Sequence, residues 1–366
     1  MSTTADRATA PASSRTYPAY SRPWVLRTLL TREFAVIALL VLVYVYSSVN
    51  IAYFDSSLTI YNLLRDNAPI LMMALPMTLI IITGEIDLSV SSTLAVSAAT
   101  AGVLVKEHSV PIGLAVVIAL LLGCVLGALN GFLVAYVGLP SLAVTIGTLA
   151  LYRGLTEGLI QTNRIAQFPP SWQDLASKHL GGVTSPWPLV LVPMVVLTIV
   201  FGLLLHFTTF GRGVYEIGNS SEAAHFSGVE VARTKFLLFV LSGLVASFAG
   251  IYVMLRADSV ATDTGTGTEL KVIASVLLGG VSIFGGRGAM HGVIAGVLLI
   301  AVLNSALLLD NQGSEIIQII IGLLLVVSVI SSSLLQRIRS LVPRRVPAIR
   351  PTNAPTAGDE SRKVAP

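Results

Sequence analysis

Few residues in this chain have the types and spacing for covalent chemistry. No lysine follows a glycine or precedes Ser or Thr, so the phosphate-cradling Gly-x-x-x-x-Gly-Lys-Ser/Thr loop is missing. None of the five histidines opens a His-Glu-x-x-His zinc pair. Ser227-Gly228 and Ser242-Gly243 lack the flanking residues of a Gly-x-Ser-x-Gly nucleophile elbow. The single Cys124 excludes an internal disulfide and makes redox chemistry a poor fit. No catalytic and no metal-binding residue is assigned, and the chain reads as no enzyme.

Polar residues within apolar surroundings are the next candidates. Glu85 and Asp87 stand where an apolar run begins. A carboxylate at the middle of a bilayer costs roughly 2.5–3.5 kcal/mol on insertion scales, so Asp87 has two readings. Either both acids sit in interfacial water at a helix start, where the dipole favours them, or they serve gating or interhelical contact. Asn130 and Asn304 lie within or near apolar runs and read as helix-to-helix hydrogen bonds rather than ligand contacts. His206 reads as structural, and Arg153 as a side chain that snorkels to the interface.

The most informative stretch is a charged island, Gly211 to Lys235, between two long apolar runs. Its centre predicts a short helix. Asn219 is the expected N-cap, and Glu222 three residues on completes a capping box. Gly228 supplies a left-handed stop. Two turns of helix are marginal alone in water, so another surface must brace them. Ala223 and Ala224 keep one side small enough for close approach. The expectation is a docking element rather than a plain connecting loop.

The elements that must position these residues are membrane helices. Apolar residues make up 54% of the chain and charged residues 11%, against about a quarter charged in soluble domains. The apolar residues fall into about ten runs: 34–48, 68–83 extended back toward Tyr61, 88–105, 111–137, 139–159, 189–210, 236–255, 272–284, 293–309 and 316–335. A span needs about 20 residues. Gly123 and Gly127 have the Gly-x-x-x-Gly spacing of a helix contact. The fold class is an all-α integral membrane bundle of about ten transmembrane helices with a short cytoplasmic docking helix. Residues 1–33 read as a disordered basic arm, 34–336 as one membrane domain and 337–366 as a disordered basic tail. No cleavable signal is expected. With both tails in the cytoplasm, lysines and arginines divide sixteen inside to seven outside, in the direction of the positive-inside rule. That topology places Glu85, Asp87 and Arg287 on one side, so an ion pair of Arg287 with one of the acids is expected in one state of the protein. It also leaves Gln161–Trp187 and Arg256–Glu269 as the main outer polar segments.

Three stretches together resemble a known family. The first is Gly211-Arg-x-x-Tyr-x-Ile-Gly218-Asn219-x-x-Glu222-Ala223-Ala224-x-x-Ser-Gly228-Val, similar to the cytoplasmic coupling loop of ABC importer permeases. The second is Gly84-Glu-Ile-Asp-Leu-Ser-Val-Ser, and the third Leu278-Gly-Gly-Val-Ser-Ile-Phe-Gly-Gly-Arg-Gly. The branch is the one that takes up ribose, xylose, rhamnose and autoinducer-2, and the resemblance runs from about Asn62 to about Leu335. One departure is Glu85, where many members carry a second glycine.

The resemblance implies a multi-pass permease of a bacterial inner membrane with no cofactor of its own. Its implied partners are cytoplasmic ATPase subunits that bind ATP and Mg, an extracytoplasmic sugar-binding protein and a second permease, identical or similar. Lipid is the remaining partner, and nucleic acid is not one. The alternative from a different class is a stand-alone ion-coupled secondary transporter, which ordinarily holds intramembrane carboxylates or histidines for its ion. Acids clustered at loop edges argue against it.

Overall fold

The computed structural model describes residues 32–161, 164–313 and parts of 315–330. The two tails assigned above lie outside those residues, apart from the start of the first helix. In chain order the helices are α1 (Arg32–Asn50), α2 (Ser57–Ile82), α3 (Val90–Lys106), α4 (Ile112–Ala135), α5 (Ser141–Ile160), α6 (Pro170–Ser177), α7 (Leu191–Phe207), α8 (Thr209–Asn219), α9 (Ser221–Phe226), α10 (Val231–Ala257), α11 (Thr268–Leu278) and α12 (Met290–Leu309). Two short strands, β1 (Ile165–Ala166) and β2 (Ser259–Val260), pair antiparallel with Ile165 opposite Val260.

The expected multi-span all-α membrane bundle is what the chain forms. By length and composition α1, α2, α4, α10 and α12 can each cross a membrane. The pair α7 and α8, bent by 67°, makes a sixth crossing if taken as one. The remaining apolar runs are helical where described but several are short. At ~1.5 Å per residue α3 spans about 25 Å and α11 about 16 Å, against a hydrocarbon core of about 30 Å.

Packing explains the order of the helices. Residues 68–82 of α2 form a continuous buried stretch that passes through two internal prolines, Pro69 and Pro76. Around it α10 packs across α4, α3 and α2. The α4–α10 crossing is close because it is made of glycine. A Cβ on Gly127 would overlap the Phe239 carbonyl oxygen, and one on Gly243 would overlap that of Gly123. The Gly123/Gly127 spacing is therefore a true helix contact, held by dispersion between backbones rather than by burial from water. Away from α10, α4 and α7 turn Leu121, Val125, Val196 and Val200 outward, as lipid-facing surfaces should.

The segments expected outside are stitched to each other. Besides the β1–β2 pair, the Asp258 carboxylate accepts the Phe168 N–H at 2.8 Å and a bond from Gln173 Nε2. Arg153 reaches one of these segments. Its guanidinium donates to the carbonyls of Thr262 at 3.0 Å and Thr264 at 2.8 Å, because the 261–267 loop folds down onto α5.

Candidate functional site

The three resembling stretches, far apart in sequence, meet at one end of the bundle. The charged island begins as a helix rather than a loop. Thr208 is extended and its Oγ1 accepts the Gly211 N–H at 3.1 Å, which caps α8 right after the bend from α7. At the far end of α8, Gly218 lies against the last turn of α2, so that a Cβ there would overlap the Ile82 carbonyl oxygen. That same oxygen accepts the Gly286 N–H at 2.8 Å. Gly285 and Gly286 have φ of 81° and 70°, and an added Cβ on Gly286 would sit 2.5 Å from Asn219 Oδ1. The Tyr215 hydroxyl donates to the Gly288 carbonyl at 2.7 Å. So α8 is clamped between the end of α2 and the 279–288 turn, and glycine is required where the backbones touch.

The short helix beyond it forms with its N-cap one residue later than the sequence suggests. Asn219 is still helical and ends α8; its Nδ2 donates back to the Tyr215 carbonyl. Ser220 is the first extended residue, and its Oγ accepts the Ala223 N–H at 3.2 Å, so Ser220 caps α9. Glu222 then falls at the second helical position, where it supports the dipole but completes no capping box. The stop is as expected. Gly228 has φ of 89°, its N–H donates to His225, and the Val229 N–H donates to Ala224, the paired bonds of a Schellman ending. Ala224 is buried, whereas Ala223, Glu222 and Phe226 face out, Phe226 at 89% exposure. Val229 packs on Gly213 of α8, which supplies the bracing that six residues of helix need.

The second stretch carries the polar contacts inward. Glu85 Oε1 and Lys235 Nζ pair at 2.5 Å, each side chain only 16% exposed, tying the loop after α2 to the first turns of α10. Asp87 does not lie in interfacial water. It is 2% exposed, with Ser89 donating to Oδ1 through N–H (3.0 Å) and Oγ (2.6 Å), and Ser242 Oγ donating to Oδ2 at 2.9 Å. Burial pushes this carboxyl above its ordinary value, and the three hydrogen bonds oppose that rise.

Asn130 Nδ2 donates to Ser89 Oγ at 2.8 Å, and the Tyr152 hydroxyl donates to the Leu126 carbonyl beside it. Ser141 Oγ accepts the Ile86 N–H at 3.1 Å. One buried network therefore joins the 83–89 loop to α4, α5 and α10.

Arg287 and Asn304 do not join it. Arg287 is exposed, and among the described residues it pairs with neither Glu85 nor Asp87, whose partners are Lys235 and the serines. Asn304 is half-buried on α12, about four turns past the clamp. Sequence reasoning missed Ser89, Ser141, Ser242 and Tyr152. The available signal was a carboxylate two residues from a serine in an apolar setting, which demands hydroxyl donors.

An exposed short helix is joined to the clamp, and the clamp to the central helices. Residues 59–329 match the family described as branched-chain amino acid transport system / permease component. The chain belongs to that permease family. A Photorhabdus laumondii protein named autoinducer 2 import system permease protein LsrD is 32% identical over 82% of this chain and 91% of its own length. The protein of the same name from Yersinia enterocolitica is 32% identical over 82% and 92%, and one from Yersinia pseudotuberculosis 34% identical over 72% and 79%. No solved structure matches the chain.

Proposed function

We propose that this permease is the membrane subunit of an ATP-driven importer for a small sugar or sugar-like molecule of the autoinducer-2 kind. It sits in a bacterial inner membrane with both termini in the cytoplasm. It works with two cytoplasmic ATPase subunits, a second permease and an extracytoplasmic binding protein. The observation that supports the reading best is the clamp: α8 and α9 are rooted on the end of α2 and the 279–288 turn. Beside α9 a cleft lined by Tyr136, Glu222, His225, Phe226, Glu230 and Arg233 offers the ATPase both apolar and charged anchors. Closure of the ATPase pair pushes α9. The push reaches α2 through Gly218 and α10 through Glu85–Lys235. The relatives' names, which speak of autoinducer 2 import, support the cargo class.

The test uses Gly228→Val in the assembled importer. A β-branched residue at φ of 89° is strained by about 1–3 kcal/mol, more than a six-residue helix can absorb. Nothing lies within 4 Å of the added Cβ, so the bundle is left intact. The variant should reach the membrane at normal levels and lose uptake at least about tenfold, a barrier change of ~1.4 kcal/mol. The ATPase should dissociate, or hydrolyse ATP without responding to loaded binding protein. A variant that assembles, responds and imports like the parent would overturn the coupling role.

A further inference from the structure

The helices leave a gap at the end of the bundle remote from the clamp. Among the described helices α7 packs closely on α2 alone, apart from α8 that continues it, while α4 packs on α10, α3 and α5. Between α4 and α7 lies a cavity of about 310 Å³. Its floor is one face of α10, where Phe248, Ile251, Tyr252 and Leu255 have the spacing of a single helical row. Val116 and Leu120 of α4 form one wall, and Val192 at the start of α7 the other. The helix α6 closes the end. Trp172, Leu175 and Ala176 line the cavity, whereas Ser171, Asp174 and Ser177 are exposed and Gln173 ties α6 to Asp258. The Trp172 ring reaches the first turn of α4, 4.0 Å from where a Cβ on Gly113 would stand.

The lining decides what can enter. No charged side chain belongs to it, and the Tyr252 hydroxyl is already spent on the Arg65 carbonyl at 3.2 Å, so little is left to hold water. From Leu255 to Phe248 the slot runs about 10 Å down α10, within the ~15 Å of hydrocarbon in one leaflet. A volume of 310 Å³ over that length is roughly 30 Å² in section, about a third of what a helix 10–12 Å wide needs. A helix of a second copy is too thick for it, and a single flexible chain is not. The mouth opens on lipid. Leu175 and Val192 are 51% and 48% exposed, Val192 stands one turn from Val196, and Leu120 adjoins Leu121 on the faces already seen to point outward. Left empty, the slot would deprive its lining of dispersion partners. The Trp172 indole N–H makes no hydrogen bond among the described residues, and an amphipathic ring at the end of an apolar slot suits the membrane interface.

We infer that this slot is a binding site for one acyl chain of a bilayer phospholipid, with the Trp172 N–H donating to an oxygen of the lipid's ester or phosphate group. The acyl chain gives α7 the packing partner that α4 and α10 do not supply, and α7 is the helix that leads into α8 and the clamp. Helices in a bilayer gain nothing from hiding apolar surface from lipid, so shape and dispersion hold the chain in place.

The experiment reads the fluorescence of Trp172. Trp24→Phe with Trp187→Phe leaves it the only tryptophan of the full chain. The protein is reconstituted in phosphatidylcholine bilayers in which a rising fraction of the lipid carries brominated acyl chains, which quench tryptophan on contact. A reference protein adds Val196→Trp and Trp172→Phe, so that its tryptophan stands on the open lipid face. Emission from Trp172 should be lost in direct proportion to the brominated fraction, the form that a single neighbouring chain gives. The Val196→Trp reference, touched by several lipids, should lose its emission at lower fractions. Val116→Phe, which fills the slot, should remove most of the Trp172 loss and leave the reference loss unchanged. Should Val116→Phe fail to fold, the form of the Trp172 curve decides alone. An unquenched Trp172 would mean an empty or protein-filled slot, and a curve matching the reference would mean an open lipid face; either overturns the site. Quenching that disappears when the protein is crowded into cross-linkable pairs would give the slot to a second copy, and overturn it as well.

Discussion

Removing the Ser242 hydroxyl tests whether the buried network carries stability. Ser242→Ala takes away the 2.9 Å bond to Asp87 Oδ2 and almost no volume. Ser242 is 1% and Asp87 2% exposed, so water does not replace the donor. A hydrogen bond to a charged group contributes about 1.5–3 kcal/mol, and that is the expected loss. In an Asp87→Asn background the same change should cost only about 0.5–1.5 kcal/mol, because the amide is neutral. The coupling energy is then about 1 kcal/mol or more.

Cys124, the chain's only cysteine, lies half-buried on α4 beside the α4–α10 crossing, so its labelling by a thiol dye reports unfolding in detergent. Coupling below about 0.5 kcal/mol would refute the network. The pH dependence supplies a second readout. Because burial raises the Asp87 carboxyl, the folded chain holds that proton more tightly than the unfolded chain does. Its contribution to stability is full below the ordinary carboxylate value and is lost as pH rises through the raised folded value. Asp87→Asn should flatten that slope.

Two further outcomes are expected. Glu85→Lys and Lys235→Glu should each impair uptake by placing like charges in the pair with 16% exposed side chains, and the double swap should restore part of it. A double variant no better than the worse single one would separate the residues functionally. Arg164 and Lys178, both exposed on the β1–α6 segment, should contact the binding protein; Arg164→Glu with Lys178→Glu should weaken docking more at low salt than at high salt. Equal affinity at low salt would remove these charges from the interface.

Much of this protein was legible from residue order. Long apolar runs demand helices in lipid because no other element satisfies its own backbone there. The Gly228 stop was legible too, since a left-handed ending is a local property of one residue and its neighbours. The N-cap shifted from Asn219 to Ser220 because the boundary depends on where α8 ends, and α8 ends where Gly218 and Asn219 meet Ile82 and Gly286. Pairings across the bundle were not legible. Glu85 pairs with Lys235 on the first turns of α10, and Arg287, on a turn that also touches the end of α2, stays exposed. Asp87 lies inside because Ser89 and Ser242 offer it donors there, and Arg153 finds carbonyl partners because a loop 109 residues away folds onto its helix. Residue order determines which groups cannot be left bare in a membrane. The partner each one finds is a matter of which helices touch, and only the assembled bundle decides that.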